Sequence, residues 1–493
     1  MPGADASTTA GERESASDPA AARSGRALSS GPASTLASLP GSLAAAPLGP
    51  PGTAPTTSLP PEVRRTMRLS LVEGGLMQVF LNWTSGSVII GYLLSLGAAP
   101  WHIALVGSVP FLAQVASPLG ALAAEALGRR KALSAALATA SRLLWLAAAF
   151  VPQAVPAGLA PAVVVTVVFL AGCFQAANGT VWTAWMGDVV PEDRRGRYFG
   201  LRTGVLGVVG MLANLAAGAF LDRVAAPLGF QVVLVVGVGC ALVGVLLLLL
   251  HHDPPTERVA VRLGELLGRP FRERNFRRFL RFAVYWQFVV LLGAPFVLPY
   301  FLEELGMTYT QVAYWSSIAA LTSLASTILW GRVADAAGNK AVLAIGTFLA
   351  GAMLPANWIL AGLTGDLTFI WVSAFFDAVA WGAITPAIFN LALVSAPRAG
   401  RVSFVAAYSL ATGVAGFVGG ALSGPLLGWF QGWQAPAFLP AWTGYHTLFA
   451  VSAVGRVFAW VLLKPVAEER AWRTRDLLRT ARTAWKGVGL PWR

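Results

Sequence analysis

Long apolar stretches constrain the fold of this chain more than any other feature. Between Leu69 and Leu463 they repeatedly reach the roughly 20 residues that a helix needs to cross about 30 Å of hydrocarbon. They are continuous and lack the alternating polar positions of barrel strands, so helices are predicted. The predicted spans, numbered 1 to 12, are 69–95, 102–123, 132–152, 161–187, 199–221, 230–251, 277–302, 311–330, 341–363, 367–394, 403–428 and 445–463. We therefore expect an all-α polytopic membrane protein.

The composition and the distribution of charge agree with this fold class. With 56% hydrophobic and 12% charged residues, the chain is too apolar for an ordinary soluble domain. The net charge of +13 would suggest nucleic acid in a soluble protein, but the basic residues fall on one side of the twelve-span arrangement. Loops on the other side hold Asp222, Glu303, Glu304 and Asp366, with Arg223 as the basic exception. The positive-inside rule then predicts that both termini are in the cytoplasm, and the basic residues are expected to contact anionic lipids and no nucleic acid. We expect an integral protein of the plasma (inner) membrane.

A polar, Arg-rich connection at 253–276 divides the chain into two six-helix halves, 69–252 and 277–463. Residues 1–68 are rich in Ala, Ser, Pro and Gly and are expected to form a disordered cytoplasmic tail. Residues 464–493 space tryptophans among basic residues, which indicates an amphipathic helix along the inner leaflet or a flexible solvated tail. The two cysteines, Cys173 and Cys240, both lie in predicted spans and exclude a disulfide framework.

Two short loops, 210 residues apart, repeat one pattern of a carboxylate, a glycine and basic residues. The first runs from Ala121 through Glu125 to Gly128-Arg129-Arg130, and the second from Gly331 through Asp335 to Gly338-Asn339-Lys340. Each lies between two apolar runs and predicts a tight turn. A second pair of turns, at 188–197 and 395–401, recurs at a similar offset. The recurrence predicts one duplication that covers the whole membrane part.

These loops closely resemble the loop motif of the major facilitator superfamily of secondary transporters, and the resemblance covers roughly residues 69 to 463. The second copy is the more faithful, because the first has Ala121 and Glu125 where the family has glycine and aspartate. The resemblance implies two pseudo-repeated halves that transport a small-molecule solute by alternating access. It implies no enzyme activity, cofactor or metal, and we expect a monomer.

In the family such loops favour the outward-open state. A carboxylate at a helix end can sit against the positive N-terminus of a helix from the opposite half, while flanking arginines bind carboxylates or lipid phosphates. The alternative is a turn whose arginines only hold the cytoplasmic side of the membrane. The residues predicted to form this conformational latch are Glu125, Gly128, Arg129, Arg130, Asp188, Arg195, Asp335, Gly338 and Lys340.

The resemblance also implies that spans 1, 4, 7 and 10 line the central cavity. Tryptophan rings there would suit an aromatic or amphipathic solute, although packing between helices or a place in the interfacial belt is the alternative. The candidate substrate-binding residues are Asn82, Trp83, Arg142, Gln175, Asn178, Trp182, Tyr285, Trp286, Gln287, Asp377 and Trp381.

Ionisable residues at mid-depth are costly and therefore informative. Asp377 is the preferred site for proton coupling or cation binding, and its alternative role is to neutralise a nearby arginine. Arg142 could meet an anionic substrate or a buried carboxylate. Glu73 is expected near the interface, with proton coupling as its alternative role. The Arg456 stem could reach toward the cytoplasmic surface, and a structural role is expected for this residue.

The first functional hypothesis is export of a small hydrophobic or amphipathic solute by exchange for H⁺. Gly420–Gly428 resembles the glycine-proline signature of drug and proton antiporters, although that signature belongs to the fifth span. Proton-linked uptake and a transport-silent scaffold or sensor of the same fold are alternatives. A membrane-embedded enzyme is disfavoured because the four histidines, His102, His251, His252 and His446, form no metal-spaced cluster.

Overall fold

The computed structural model describes residues 60–253, 270–396, 401–433 and 440–468, and within these ranges the regular structure is entirely helical. The predicted terminal tails, apart from 60–68 and 464–468, and residues 254–269 of the predicted connection lie outside the described residues. Spans 1 to 6 comprise Pro61–Trp83 with Gly86–Ser95, Pro100–Ala113 with Ser117–Leu127, Arg130–Ala154, Ala160–Val189, Glu192–Leu221 and Leu228–Leu249. Spans 7 to 12 comprise Arg274–Gly293 continuing to Glu304, Tyr309–Ala337, Asn339–Thr364, Thr368–Ser395, Arg401–Gln431 and Gly444–Leu463.

Spans 2 to 12 contain the 11 described helices that are long and apolar enough to cross a membrane. Span 1 completes the predicted twelve, but its first helix begins at Pro61, eight residues before the predicted start at Leu69. The sequence signal misses this start because Arg64, Arg65 and Arg68 extend the helix beyond its apolar part. Glu73 consequently lies 12 residues into the helix, about 18 Å along its axis, rather than in its first turns.

Two spans contain breaks that hydropathy does not predict. Span 1 is interrupted at Thr84 and Ser85, and Gly86 then adopts a φ of 57°, a conformation that favours glycine. Span 7 tightens into a 3₁₀ turn at Ala294–Phe296, which contains Pro295, and ends in a π-helical turn at Tyr300–Glu304. The flanking residues are apolar enough to keep each predicted span continuous, so the backbone geometry reveals the interruption.

In each half, hydrogen bonds join the third helix to the segment that follows the last helix. They lie at the end of the bundle that carries the basic loops, here called the basic end. In the first half, Lys131 Nζ donates to the carbonyl oxygen of His251 at 3.1 Å. In the second half, Lys340 Nζ donates to the carbonyl oxygens of Lys464 and Val466, both at 2.7 Å. Lys340, predicted as part of a latch between halves, therefore closes its own half. Burial lowers the pKa of His251, which disfavours a second positive charge beside Lys131.

The two halves approach each other closely at the other end of the bundle, here called the opposite end. A Cβ on Gly420 of span 11 would lie 2.5 Å from Ser108 Cβ of span 2, and one on Gly218 of span 5 would lie 2.7 Å from the Tyr309 carbonyl oxygen of span 8. Toward the basic end, span 2 is instead uncovered, with Leu119 63% exposed. The halves thus meet at the opposite end.

Gly420→Val should separate spans 2 and 11, because the added side chain cannot fit against Ser108. We expect the initial transport rate to fall about tenfold, since closure at the opposite end is one of the states that alternating access requires. Gly428→Val is the matched control on the same helix, because its Cβ would meet nothing within 4 Å. Equal rates for the two valine variants, measured in proteoliposomes, would show that this packing does not limit transport.

Candidate functional site

A cluster of three charged side chains lies inside the first half at mid-depth. Glu73 of span 1 is 8% exposed, and its Oε2 atom lies 3.5 Å from Nη2 of Arg202 on span 5. Arg142 of span 3 is 3% exposed and also attracts Glu73 electrostatically. The structure therefore corrects the expected interfacial position of Glu73. One carboxylate faces two guanidinium groups, so the ionised cluster carries a net charge of +1.

Arg142 reaches from span 3 toward the helices predicted to line the cavity. Its Nη1 donates to Gln175 Oε1 of span 4 at 2.7 Å, and its Nη2 lies 2.7 Å from Met77 Sδ of span 1. The guanidinium carbon is 5.0 Å from the centre of the Phe80 ring, within the range of a cation–π contact. The predicted candidates Arg142 and Gln175 are thus brought together, and a buried carboxylate is the acidic group that Arg142 meets.

Arg202 is the member of this cluster that sequence reasoning missed. Its guanidinium lies 4.5 Å from the centre of the Trp182 ring, and its Nε donates to the Ser70 carbonyl oxygen at 3.4 Å. Gly74 makes room for it, because a Cβ there would lie 2.5 Å from Nη2. The available signal was a single arginine just inside an apolar run, a place that usually indicates a helix end. Span 5 instead begins at Glu192, which places Arg202 ten residues into the helix.

The second half holds a carboxylate among aromatic rings. Asp377 of span 10 is half-buried, and the indole N–H of Trp381, one turn later, is within reach of it. The Trp381 ring lies 6.3 Å from the ring of Trp286 on span 7, which is 1% exposed. Three predicted candidates from spans 7 and 10 thus form one patch.

Arg456 of span 12 is the cation that attracts Asp377. It is 2% exposed and donates from Nη1 to the Ala350 carbonyl oxygen at 3.1 Å and from Nη2 to the Val290 carbonyl oxygen at 3.2 Å. The suggestion that its stem reaches the surface is therefore wrong, because inward-facing carbonyls of spans 9 and 7 bind it. Each half thus contains a buried arginine near a carboxylate.

Other predicted candidates hold helices together. Asn178 accepts a hydrogen bond from Ser134 Oγ at 2.6 Å, and Trp83 Nε1 donates to the Ala213 carbonyl oxygen at 2.7 Å. A Cβ on Gly210 of span 5 would lie 2.9 Å from Asn82 Nδ2. In span 7, Gln287 packs near Gly416 of span 11 and Tyr285 near Gly455 of span 12. The structure does not bring these five candidates into either charged cluster.

The repeated loops form the tight turns that were predicted. Gly128 and Gly338 cap their helices with φ values of 62° and 89°. Arg130 forms an ion pair with Asp188, which lies in the same half. Arg129 and Asp335 are exposed. The side chains of Glu125 and Arg195 lie outside the described residues, so the latch between halves stays a prediction.

Comparisons with known proteins agree on one family and one fold. A sequence model described as Major Facilitator Superfamily matches residues 71–298 and 293–492. A D-xylose-proton symporter is 16% identical, with a TM-score of 0.63 over 84% of this chain and 99% of its own. A bacterial homologue of the human lysosomal transporter Spinster, inward-facing and occupied, is 15% identical, with a TM-score of 0.65 over 84% and 100%.

The nucleoside transporter NupG is 15% identical, with a TM-score of 0.60 over 83% of this chain and 98% of its own. None of the curated proteins matches this chain in sequence. At these identities the structural likeness concerns the fold, and the charged clusters must be interpreted from the residues themselves.

Proposed function

The chain belongs to the Major Facilitator Superfamily, and from this premise we propose that it exports a small amphipathic solute by proton antiport. The observation that carries the proposal is the Asp377 carboxylate at mid-depth beside the Trp286 and Trp381 rings. A carboxylate in such a place can hold either a proton or a positively charged group of a solute, while the aromatic rings hold its apolar part. Competition between the two is the chemical requirement of antiport.

Alternating access provides the transport cycle in which competition between proton and solute for Asp377 couples their movements. Because the halves are joined at the opposite end, a solute would reach a site between them from the basic end. Rocking of one half against the other would then present it to the other side of the membrane. A proton that binds Asp377 on one side releases the solute there, and the empty site returns with the proton.

Proton-linked uptake is a second candidate, and the cluster around Glu73 favours it. The ionised Glu73 carboxylate occupies Arg202. Protonation of Glu73 would free that guanidinium for an anionic group of a solute, so proton and solute would bind together. One of the similar structures is a D-xylose-proton symporter, which supports this order of events by analogy of fold.

The glycines of span 11 do not help to choose between the two. Gly420 and Gly424 lie against Ser108 and Trp101 of span 2, where a Cβ would be within 2.8 Å of a neighbour. Close packing between the halves therefore accounts for them. Export rests on the patch around Asp377 alone.

Flux measurements in proteoliposomes test the proposal. We expect an imposed pH gradient, acidic inside, to drive ethidium inward while protons leave, and the same gradient to leave 5-aminolevulinic acid unmoved. Ethidium is a suitable probe because it is a flat, amphipathic cation. With the gradient reversed, acidic outside, accumulation of 5-aminolevulinic acid together with protons would instead favour symport. If neither probe, nor any binder found by a thermal-shift panel of metabolites and drugs, moves or shifts protons, the scaffold alternative replaces the transporter.

A further inference from the structure

A carboxylate from one half holds the start of a helix in the other half, at the opposite end of the bundle. Asp222 directly follows span 5, and its Oδ1 and Oδ2 accept hydrogen bonds from the backbone N–H groups of Tyr309 and Thr310, at 2.8 and 3.0 Å. These are the first two residues of span 8. These two hydrogen bonds join the two halves.

Span 8 already has its own N-terminal capping residue, Thr308, and Asp222 binds two further N–H groups of the same helix start. Thr308 Oγ1 accepts from the Gln311 N–H at 3.2 Å, and the Gln311 side chain accepts from the Thr308 N–H at 2.9 Å. With Asp222, each N–H from Thr308 to Gln311 has an acceptor. A negative charge is favoured there because free N–H groups and the helix dipole make a helix start positive.

Tyr309 carries the contact deeper into the first half. Its ring meets the Phe230 ring of span 6 at 5.6 Å in an edge-to-face arrangement. A Cβ on Gly91 of span 1 would lie 2.5 Å from the Tyr309 hydroxyl oxygen, so the ring fills a slot that only glycine leaves open. The backbone of Tyr309 also rests on Gly218 of span 5. One residue of the second half is thus enclosed by spans 1, 5 and 6 of the first.

We propose that Asp222 and Tyr309 form the gate at the opposite end, with Asp222 as an electrostatic clamp and Tyr309 as a plug. The contact cannot persist when the halves separate there, because each member belongs to a different half. The other side of the seal, between spans 2 and 11, is built from glycine packing against Trp101 and Ser108 and includes no carboxylate. The clamp therefore sets how often the opposite end opens, and it does so through charge.

Asp222 is exposed, so its contribution is that of a solvent-facing helix cap screened by salt. In Asp222→Asn the side chain keeps one uncharged acceptor oxygen, and its NH₂ group would face one of the two backbone N–H donors, Tyr309 or Thr310. Losing such a cap should raise the ratio of open to closed molecules at this end about fivefold. This gate requires alternating access but no particular solute or coupling ion.

The test is a distance measurement between spin labels on cysteines placed at Leu228 and Thr364, exposed positions at the opposite end of spans 6 and 9. Cys173 and Cys240 are replaced with serine, and no solute is added. At 0.1 M KCl, Asp222→Asn should show an additional, longer distance between the labels that the parent does not show. The parent should show this longer distance only at 1 M KCl, where salt screens the Asp222 charge. Gly91→Val should show the same longer distance at both salt concentrations, because it expels the plug and leaves the charge in place.

Asp366→Asn is the matched control. Asp366 also lies at the opposite end and accepts from the Thr368 N–H at 2.8 Å, but it caps a helix of its own half. That hydrogen bond lowers the pKa of Asp366, so the control also removes an ionised carboxylate. Distances equal to the parent in Asp222→Asn would overturn the clamp, and parent-like distances in Gly91→Val would overturn the plug. A shift of the same size in Asp366→Asn would show that charge at this end acts without the contact.

Discussion

Glu73→Gln is expected to lower the free energy of unfolding by about 3 kcal/mol, because it leaves the buried Arg142 and the half-buried Arg202 without their carboxylate. In the parent, Glu73 offsets one of the two positive charges of Arg142 and Arg202. Glutamine keeps the size of the side chain and removes only the charge. Thermal and chaotrope-induced unfolding in detergent, followed by tryptophan fluorescence, measures the loss.

Two further variants make this result specific. Glu73→Gln combined with Arg142→Gln restores a net charge of +1 and should recover a large part of the stability, which a double-mutant cycle quantifies. Glu62→Gln is the same substitution on the same helix at an exposed position that pairs with His252 at 3.1 Å, and it should cost less than about 1 kcal/mol. If Glu62→Gln and Glu73→Gln lower the free energy of unfolding equally, or if the double variant recovers no stability, then Glu73 does not stabilise the fold by offsetting the arginine charges.

Asp377→Asn is expected to lower pH-driven accumulation of ethidium by at least about tenfold while exchange of ethidium down its gradient continues. Asparagine cannot release a proton, so solute and proton no longer compete for one group, and a tenfold change corresponds to about 1.4 kcal/mol. The tryptophan rings proposed to hold the solute are unchanged. Asp366→Asn, again a neutralised aspartate at the start of the same helix, should transport as the parent does.

The same variant separates coupling from simple neutralisation of Arg456. If Asp377 only balances the charge of Arg456, then Asp377→Asn with Arg456→Gln should regain gradient-driven accumulation, because no charge is left uncompensated. We expect no such recovery. Full accumulation of ethidium in Asp377→Asn alone would show that Asp377 does not couple transport to protons. Loss of proton uptake in Glu73→Gln would instead assign proton coupling to Glu73 in the first half.

The number and positions of the apolar helical spans could be predicted because they depend on long apolar runs, which hydropathy reports directly. The duplicated turns at Gly128 and Gly338 were equally accessible, since a glycine at positive φ between two helices leaves a visible pattern. The breaks in spans 1 and 7 were not, because the apolar residues on either side keep the average hydropathy of each span high across a few polar positions. Helix starts were misplaced for a similar reason: charged residues at Arg64 and Arg68 extend span 1 beyond the membrane, and hydropathy ends where they begin.

The candidate site could be predicted in part. Asp377, Trp381 and Arg142 were found because polar or aromatic groups at mid-span are conspicuous in an apolar sequence. Arg202 was not found, because an arginine near the start of an apolar run resembles the ordinary end of a helix. The carboxylate clamp was predicted as a type of contact, but for Glu125 at the basic end. Which carboxylate meets which helix depends on the packing of distant spans, and only the three-dimensional arrangement supplies it at Asp222.

The fastening of helices at the basic end bears on how the protein is made. Lys131 joins the start of span 3 to the chain after span 6, and His252 N–H donates to Thr66 Oγ1 at the start of span 1. Lys340 and Glu468 close the second half in the same manner. All the partners of each closure become available once six helices have been synthesised. The ribosome can therefore deliver a completed first half to the membrane before the second begins, and two separately expressed halves should reassemble.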